Sequence, residues 1–267
     1  MTWERKRVLV TVKAYPERSK SHGDTVCTAG ITDDGEWIRL YPVDFQHFLG
    51  DQRIPKYSVI ECECKKADHE KLQRKESHRV RDGSIKVVDT SMVEPVDWDA
   101  RREWVTPLLS PSIEQLREDF ERDRASLGLI KPRDVMDFRS MEDIKTDLHA
   151  RSERQRTFEG RTVPVVTKVP HQFKYVFRCN GCPEDNHHEI QCEDWELLES
   201  YRKWGESYPD PEVLWTKLHQ KFYERMVAKD LHFFMGMYSL QPSWLIIGLF
   251  YPPPLPNTRQ TRLGDLG

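Results

Sequence analysis

Cys179, Cys182, His187, His188 and Cys192 fall within one fourteen-residue stretch, CNGCPEDNHHEIQC, and are the side chains best suited to chemistry in this chain. A Cys-x2-Cys turn lets two thiolates face one ion. The loop after it returns a histidine and a third cysteine, and a soft-to-borderline ligand set of this kind suits Zn2+. His187 and His188 are equally placed for the single imidazole. A closed set of three cysteines and one histidine leaves no open coordination position, so the zinc expected here is structural and activates no water. Three local thiolates are too few for an iron–sulfur cluster.

The spacing resembles that of retroviral-type zinc knuckles over these fourteen residues. What the resemblance implies is the metal ligands alone. Residues 183–199 carry seven acids and no Lys or Arg, and such a surface repels phosphate.

A second set of residues reads as catalytic. Glu61, Glu63 and Lys65 alternate on one predicted strand face, an acid-x-Lys arrangement with Asp51 upstream. In a metal-dependent nuclease, carboxylates so placed hold Mg2+ while the lysine polarises the attacking water. The chain contains no phosphate-binding glycine loop, no GxSxG and no HExxH.

Two segments are locally basic although the whole chain carries a formal charge of −3. Residues 151–178 hold seven Lys or Arg against two Glu, with aromatics interleaved. Arg154, Arg156, Arg161, Lys168, Lys174, Tyr175 and Arg178 supply the cations and the ring that a single-strand binding surface needs. Residues 65–81 hold seven basic side chains against three acids, Arg74 and Lys75 among them. The second segment follows barrel-like strands, where an oligonucleotide-binding fold uses a loop. DNA or RNA is the partner these patches predict.

The elements that must carry these residues follow from periodicity. Over 7–15, Val8, Val10 and Val12 alternate on one strand face. Runs at 24–31 and 36–43 flank Asp34-Gly35, a hairpin signal. Residues 57–67 and 84–89 add further short strands, and together they predict a small barrel or strongly curved sheet. Residues 97–109 and 110–128 read as helices, the second with Ser112 as N-cap and Gly128 after its end. Residues 139–156 are polar enough for a helix that runs into a linker. Strands follow at 161–169 and 172–179, then helices at 193–205 and 210–230. A buried hairpin is expected over 231–239 and 244–252.

The expected fold is α+β, with an N-terminal β-barrel-like region (1–95), a helical region and linker (96–156), a C-terminal zinc-stabilised α+β region (157–252) and a flexible tail (253–267). Over 267 residues the chain is 37% apolar and holds six cysteines, too few for a disulfide scaffold. No apolar run reaches the ~18 residues of a membrane span. A soluble, cytoplasmic protein is expected, whose task is binding nucleic acid with a structural zinc. The alternatives are the Mg2+-dependent nuclease and a protein-interaction adaptor that uses the proline-rich tail.

Overall fold

The computed structural model describes residues 2–13, 17–19, 23–44, 53–67, 74–81, 83–94, 98–142, 155–156, 162–163, 169–183, 186–237 and 243–255. The N-terminal strands are β1 (Glu4–Lys13), β2 (Glu17–Ser19), β3 (Gly23–Thr32), β4 (Trp37–Asp44), β5 (Val59–Lys66), β6 (Ser77–Val80) and β7 (Lys86–Asp89). They pair in the order β1-β3-β4-β6-β5, and β5 returns to β1, which closes a five-stranded barrel. The β4–β6 pair is parallel, while β1–β5 is antiparallel with Arg7 opposite Glu61 and Arg5 opposite Glu63. β2 extends β3, and β7 lies along the first half of β5. Gly35, at φ 79, makes the hairpin turn between β3 and β4, in the left-handed region that glycine enters without a steric cost.

Strand alternation separates two cores. Val8, Val10, Ile38, Leu40, Ile60, Cys62, Cys64 and Val80 fill the barrel. Leu9, Ala29, Ile31 and Val59 point outward from the same strands and pack against Leu127, Leu129, Phe234 and Phe250 of the second sheet. Val12, expected on the face of Val8 and Val10, belongs to this outer cluster. A register shift between Val10 and Val12 is the cause: the bulge inverts the alternation of side chains beyond it.

The middle of the chain is only partly helical. It holds α1 (Trp98–Val105), a 3-10 turn (Thr106–Leu108) and α2 (Ile113–Asp123), but also β8 (Leu109–Ser110), β9 (Leu127–Ile130) and β10 (Asp134–Glu142). Residues 139–142, expected to open a helix, end β10, where pairing with β13 overrides local propensity. Residues 143–154 lie outside the described residues. Ser112 caps α2 as expected, accepting from the Gln115 N–H at 3.1 Å. The helix ends earlier than expected, at Arg124 in the left-handed conformation. Gly128 is instead inside β9, where a Cβ would stand 2.4 Å from Leu116 Cδ2.

The short pair β11 (Gln155–Arg156) and β12 (Thr162–Val163) precedes β13 (His171–Arg178), β14 (His188–Cys192), α3 (Trp195–Ser207) and α4 (Pro211–His219). A π-helical turn (Gln220–Glu224) joins α4 to α5 (Arg225–Val227), so the single long helix expected there is interrupted. β15 (His232–Met237) and β16 (Trp244–Phe250) form the expected antiparallel hairpin. The second sheet runs β10-β13-β14-β16-β15-β9-β8. Its core is aromatic, with Phe138, Phe173, Tyr175, Phe177, Phe222 and Phe233 fully buried.

Buried polar contacts fix the sheet against the barrel. Lys56 donates to the Leu249 carbonyl at 2.7 Å and lies 3.9 Å from the Asp194 carboxylate. That carboxylate also caps α3 at Leu197 N–H and accepts from Leu249 N–H, both at 3.1 Å. Among the described residues, no helix is long and apolar enough to cross a membrane.

Candidate metal centre

β13 ends at Arg178 and the chain turns at once: the Cys182 N–H donates to the Cys179 carbonyl at 3.1 Å, and the Cys179 N–H donates back to Cys182 Sγ at 3.1 Å. The turn brings the two sulfurs 3.0 Å apart. β14 begins at His188, and its Nε2 lies 3.0 Å from Cys182 Sγ and 3.4 Å from Cys179 Sγ. The fourth group comes from another element. Glu114, in the first turn of α2, places its carboxylate oxygens 3.5 Å from Cys179 Sγ and 3.6 Å from His188 Nε2.

Glu114, Cys179, Cys182 and His188 thus offer four ligand atoms within 4.8 Å of one another, a group that can hold a metal ion. The two cysteines and the histidine are buried, and the glutamate is partly exposed. Gly181 permits the close approach of the turn to α2, since a Cβ there would stand 3.0 Å from Ser112 Cβ. Tetrahedral zinc with bonds of ~2.0–2.3 Å needs ligand edges of roughly 3.3–3.8 Å, so an ion fits once Cys182 Sγ draws back from both Cys179 Sγ and His188 Nε2 by roughly 0.5–0.8 Å.

The electrostatics suit a ligand set. Burial, followed by the hydrogen bond with Cys179, pushes the Cys182 thiol up to about 11, a position that a nearby cation reverses. Burial also pushes the His188 imidazole below its ordinary value, which keeps it neutral and able to coordinate. At Glu114 burial works against ionisation. Its own backbone N–H, then His188, Cys179 and Ser112, outweigh that effect and hold the carboxyl below its usual range.

The remaining sequence-predicted ligands fall elsewhere. His187 is exposed, one residue before the strand and on the opposite side from His188. Cys192 is buried on the same strand face as His188 but four residues along. At ~3.3 Å per residue that is about 13 Å, too far to share an ion. It packs instead in the core, opposite Phe173 and Ile246. The member of this group that the sequence spacing does not reveal, Glu114, is 65 residues upstream of Cys179. Its only local signal is an acid in a first helical turn, which complements the helix dipole in any protein.

Glu61, Glu63 and Lys65 do share the outer barrel face, while Cys62 and Cys64 point inward. Glu63 is paired with Arg81 at 2.5 Å, and Lys65 lies over the Trp3 ring. Asp51 lies outside the described residues. Among the described residues, the Glu114 group is the only cluster with metal-ligand spacing.

The residues predicted to bind nucleic acid are scattered. Tyr175 is fully buried and donates to the Phe222 carbonyl, so its ring is closed to a base. Lys174 pairs with Glu189 at 3.0 Å, and Lys75 with Asp123 at 2.8 Å. Arg74 is half-buried beside Lys75. Arg178 is half-buried, and its Nε has no hydrogen-bond partner among the described residues. Arg156 lies in β11, with its side chain outside the described residues. Arg154, Arg161 and Lys168 lie outside them altogether.

Residues 4–107 match the family model Domain of unknown function (DUF8758), and residues 109–265 match Domain of unknown function (DUF8757). The two matches meet at the end of the 3-10 turn, where β8 starts the second sheet. No curated protein matches the chain. A solved structure described as "Structure of murine DNA binding protein bound with ds DNA" aligns with 96% of this chain and 100% of that chain, at 12% identity and a TM-score of 0.32. A likeness of that size carries no argument about fold or function.

Proposed function

We propose that this chain, which belongs to the family described as Domain of unknown function (DUF8757), is a nucleic-acid-binding protein held together by a structural zinc ion. The observation that carries the zinc is the meeting of Glu114, Cys179, Cys182 and His188 within 4.8 Å. Two thiolates, an imidazole and a carboxylate form a closed set of borderline ligands, which favours Zn2+ over Mg2+ or Ca2+. Zinc here joins the N-terminal turn of α2 to the β13–β14 hairpin and supplies folding energy rather than a reactive water.

The nucleic-acid reading is supported by the five-stranded closed barrel, an architecture class that includes oligonucleotide-binding barrels, and by a local excess of cations in a chain of slight negative charge. Two measurements test it on the purified full chain. Elemental analysis should find about one zinc per chain, lost on Cys182→Ser; metal-free protein purified under reducing conditions overturns the zinc. Anisotropy of a labelled oligonucleotide should give an affinity that falls steeply with salt. Failure to bind DNA or RNA at low salt overturns the binding role.

A further inference from the structure

The barrel has one outer face covered and another open. The second and third barrel strands, β3 and β4, are the ones whose outer side oligonucleotide-binding barrels use. Here the outward residues of β1 and β3 (Leu9, Ala29 and Ile31) are buried under Leu127, Phe234 and Phe250, and Arg39 of β4 is buried against Ser126. A ligand cannot reach that side without separating the two sheets.

The opposite outer side is built from the first halves of β1 and β7 with β5 and β6, and its composition changes completely. Arg5, Arg7, Lys65, Arg79, Arg81 and Lys86 are all exposed or half-exposed there. The pairing register places them on neighbouring strands: Arg5 opposite Glu63, Arg7 opposite Glu61, Lys65 opposite Arg79, and Glu61 opposite Lys86. Six cations face the two carboxylates Glu61 and Glu63, with Asp89 at one border. Of the two, Glu63 is taken up by Arg81. Arg5, Arg7 and Lys86 are exposed to solvent. Trp3 lies on this face, held by Lys65 at 5.0 Å and Arg81 at 4.7 Å from its ring centre, and remains 37% exposed.

From this arrangement we infer that the β1–β5–β6 outer face of the barrel is a docking surface for single-stranded nucleic acid. Arg5, Arg7 and Lys86 meet phosphates, and Trp3 offers the aromatic surface for a base. Residues i and i+2 on one strand repeat every ~6.6 Å, so the cations form a ladder along β1 and β6 rather than a point charge. Alternation of charge with an exposed ring is the combination that single-strand binding requires. The inference rests on the nucleic-acid reading above and adds to it the face, the residues and the strandedness.

The test compares variants of the full chain by anisotropy of labelled single-stranded DNA, single-stranded RNA and duplex DNA over 50–200 mM salt. One variant is Arg5→Ala/Arg7→Ala/Lys86→Ala. A control of equal charge change, Lys203→Ala/Lys217→Ala/Arg225→Ala, alters exposed cations on the helices of the second sheet. The barrel triple should lose at least about tenfold in affinity and reduce the salt slope by about 2, while the control stays within about twofold of the parent. Trp3→Ala should weaken single-strand binding and leave the slope unchanged. If the parent binds and the barrel triple binds equally well, the surface is wrong and the binding role stands. If the parent binds nothing, the binding role itself fails. Tighter binding to duplex than to single strands, unaffected by Trp3→Ala, overturns the assignment to single strands.

Discussion

Glu76 and Ser126 lie fifty residues apart and meet twice: Glu76 Oε1 accepts from the Ser126 N–H at 2.7 Å, and Oε2 accepts from Ser126 Oγ at 2.9 Å. The Leu127 N–H also donates to Oε1, at 3.2 Å, and Arg39 donates to the Ser126 carbonyl at 3.2 Å. Glu76 comes from the turn before β6, and Ser126 from the approach to β9. One buried carboxylate therefore sets the angle between barrel and sheet.

Removing that carboxylate leaves the Ser126 and Leu127 N–H groups buried without their acceptor, and leaves the Ser126 hydroxyl only the Arg39 guanidinium, at 3.4 Å. Glu76→Ala should destabilise the protein by about 3 kcal/mol or more, since each unsatisfied buried group costs about 1–3 kcal/mol. Glu76→Gln keeps one acceptor and should cost less. Urea unfolding of the three proteins gives the comparison, and equal midpoints would remove Glu76 from this role.

The candidate metal centre divides its neighbours sharply. Cys182→Ser and Glu114→Ala should lower zinc content and thermal stability together, Cys182→Ser more severely because its sulfur touches both other buried ligands. Cys192→Ser should retain about one zinc, although it loses stability as a polar group in the core. His187→Ala should leave both quantities unchanged. Zinc loss in Cys192→Ser, with the parent fully loaded, would return Cys192 to the ligand set.

These two relationships differ in how far they could be read from the residues alone. Cys179, Cys182 and His188 were legible because a turn and a strand start keep them local. Glu114 was not, because α2 reaches the site through packing rather than through spacing. The barrel strands were legible from alternation at Val8–Val10 and Ile60–Cys62–Cys64. β9 was hidden, since its four residues are all buried and show no alternation. Tyr175 read as a binding residue because alternating aromatics and cations look alike on a wet face and at the edge of a core; only the helices lying over β13 decide between them.

His232 gives the protein an acid sensitivity of predictable sign. Burial, only partly offset by its hydrogen bond to the Asp230 carbonyl, holds the imidazole below its ordinary value. The folded state therefore keeps His232 neutral, while the unfolded chain protonates near pH 6.5. Below that pH the unfolded state binds a proton that the folded state refuses, so stability falls as pH drops until the folded-state value is reached. Urea midpoints at pH 7.5 and 5.5 should differ more in the parent than in His232→Gln. An identical difference would exclude His232 as a source of the slope.

Tyr175→Phe separates a structural role from a binding role. The hydroxyl donates to the Phe222 carbonyl within the π-helical turn, where the carbonyl ladder of the helix is offset. Its loss should cost about 1 kcal/mol of stability. Nucleic-acid affinity should stay within about twofold of the parent. A large loss of affinity at unchanged stability would reopen the β13 face.

The bulge in β1 has a thermodynamic consequence. Because that single strand lines the barrel interior with Val8 and Val10 and presents Leu9 and Val12 to the other sheet, neither half keeps its apolar lining if the other melts. Val12 even sits where a Cβ on Gly248 of β16 would approach it to 3.2 Å. Two architectures are thereby joined into one cooperative unit. Calorimetry should record a single endotherm whose van't Hoff and measured enthalpies agree.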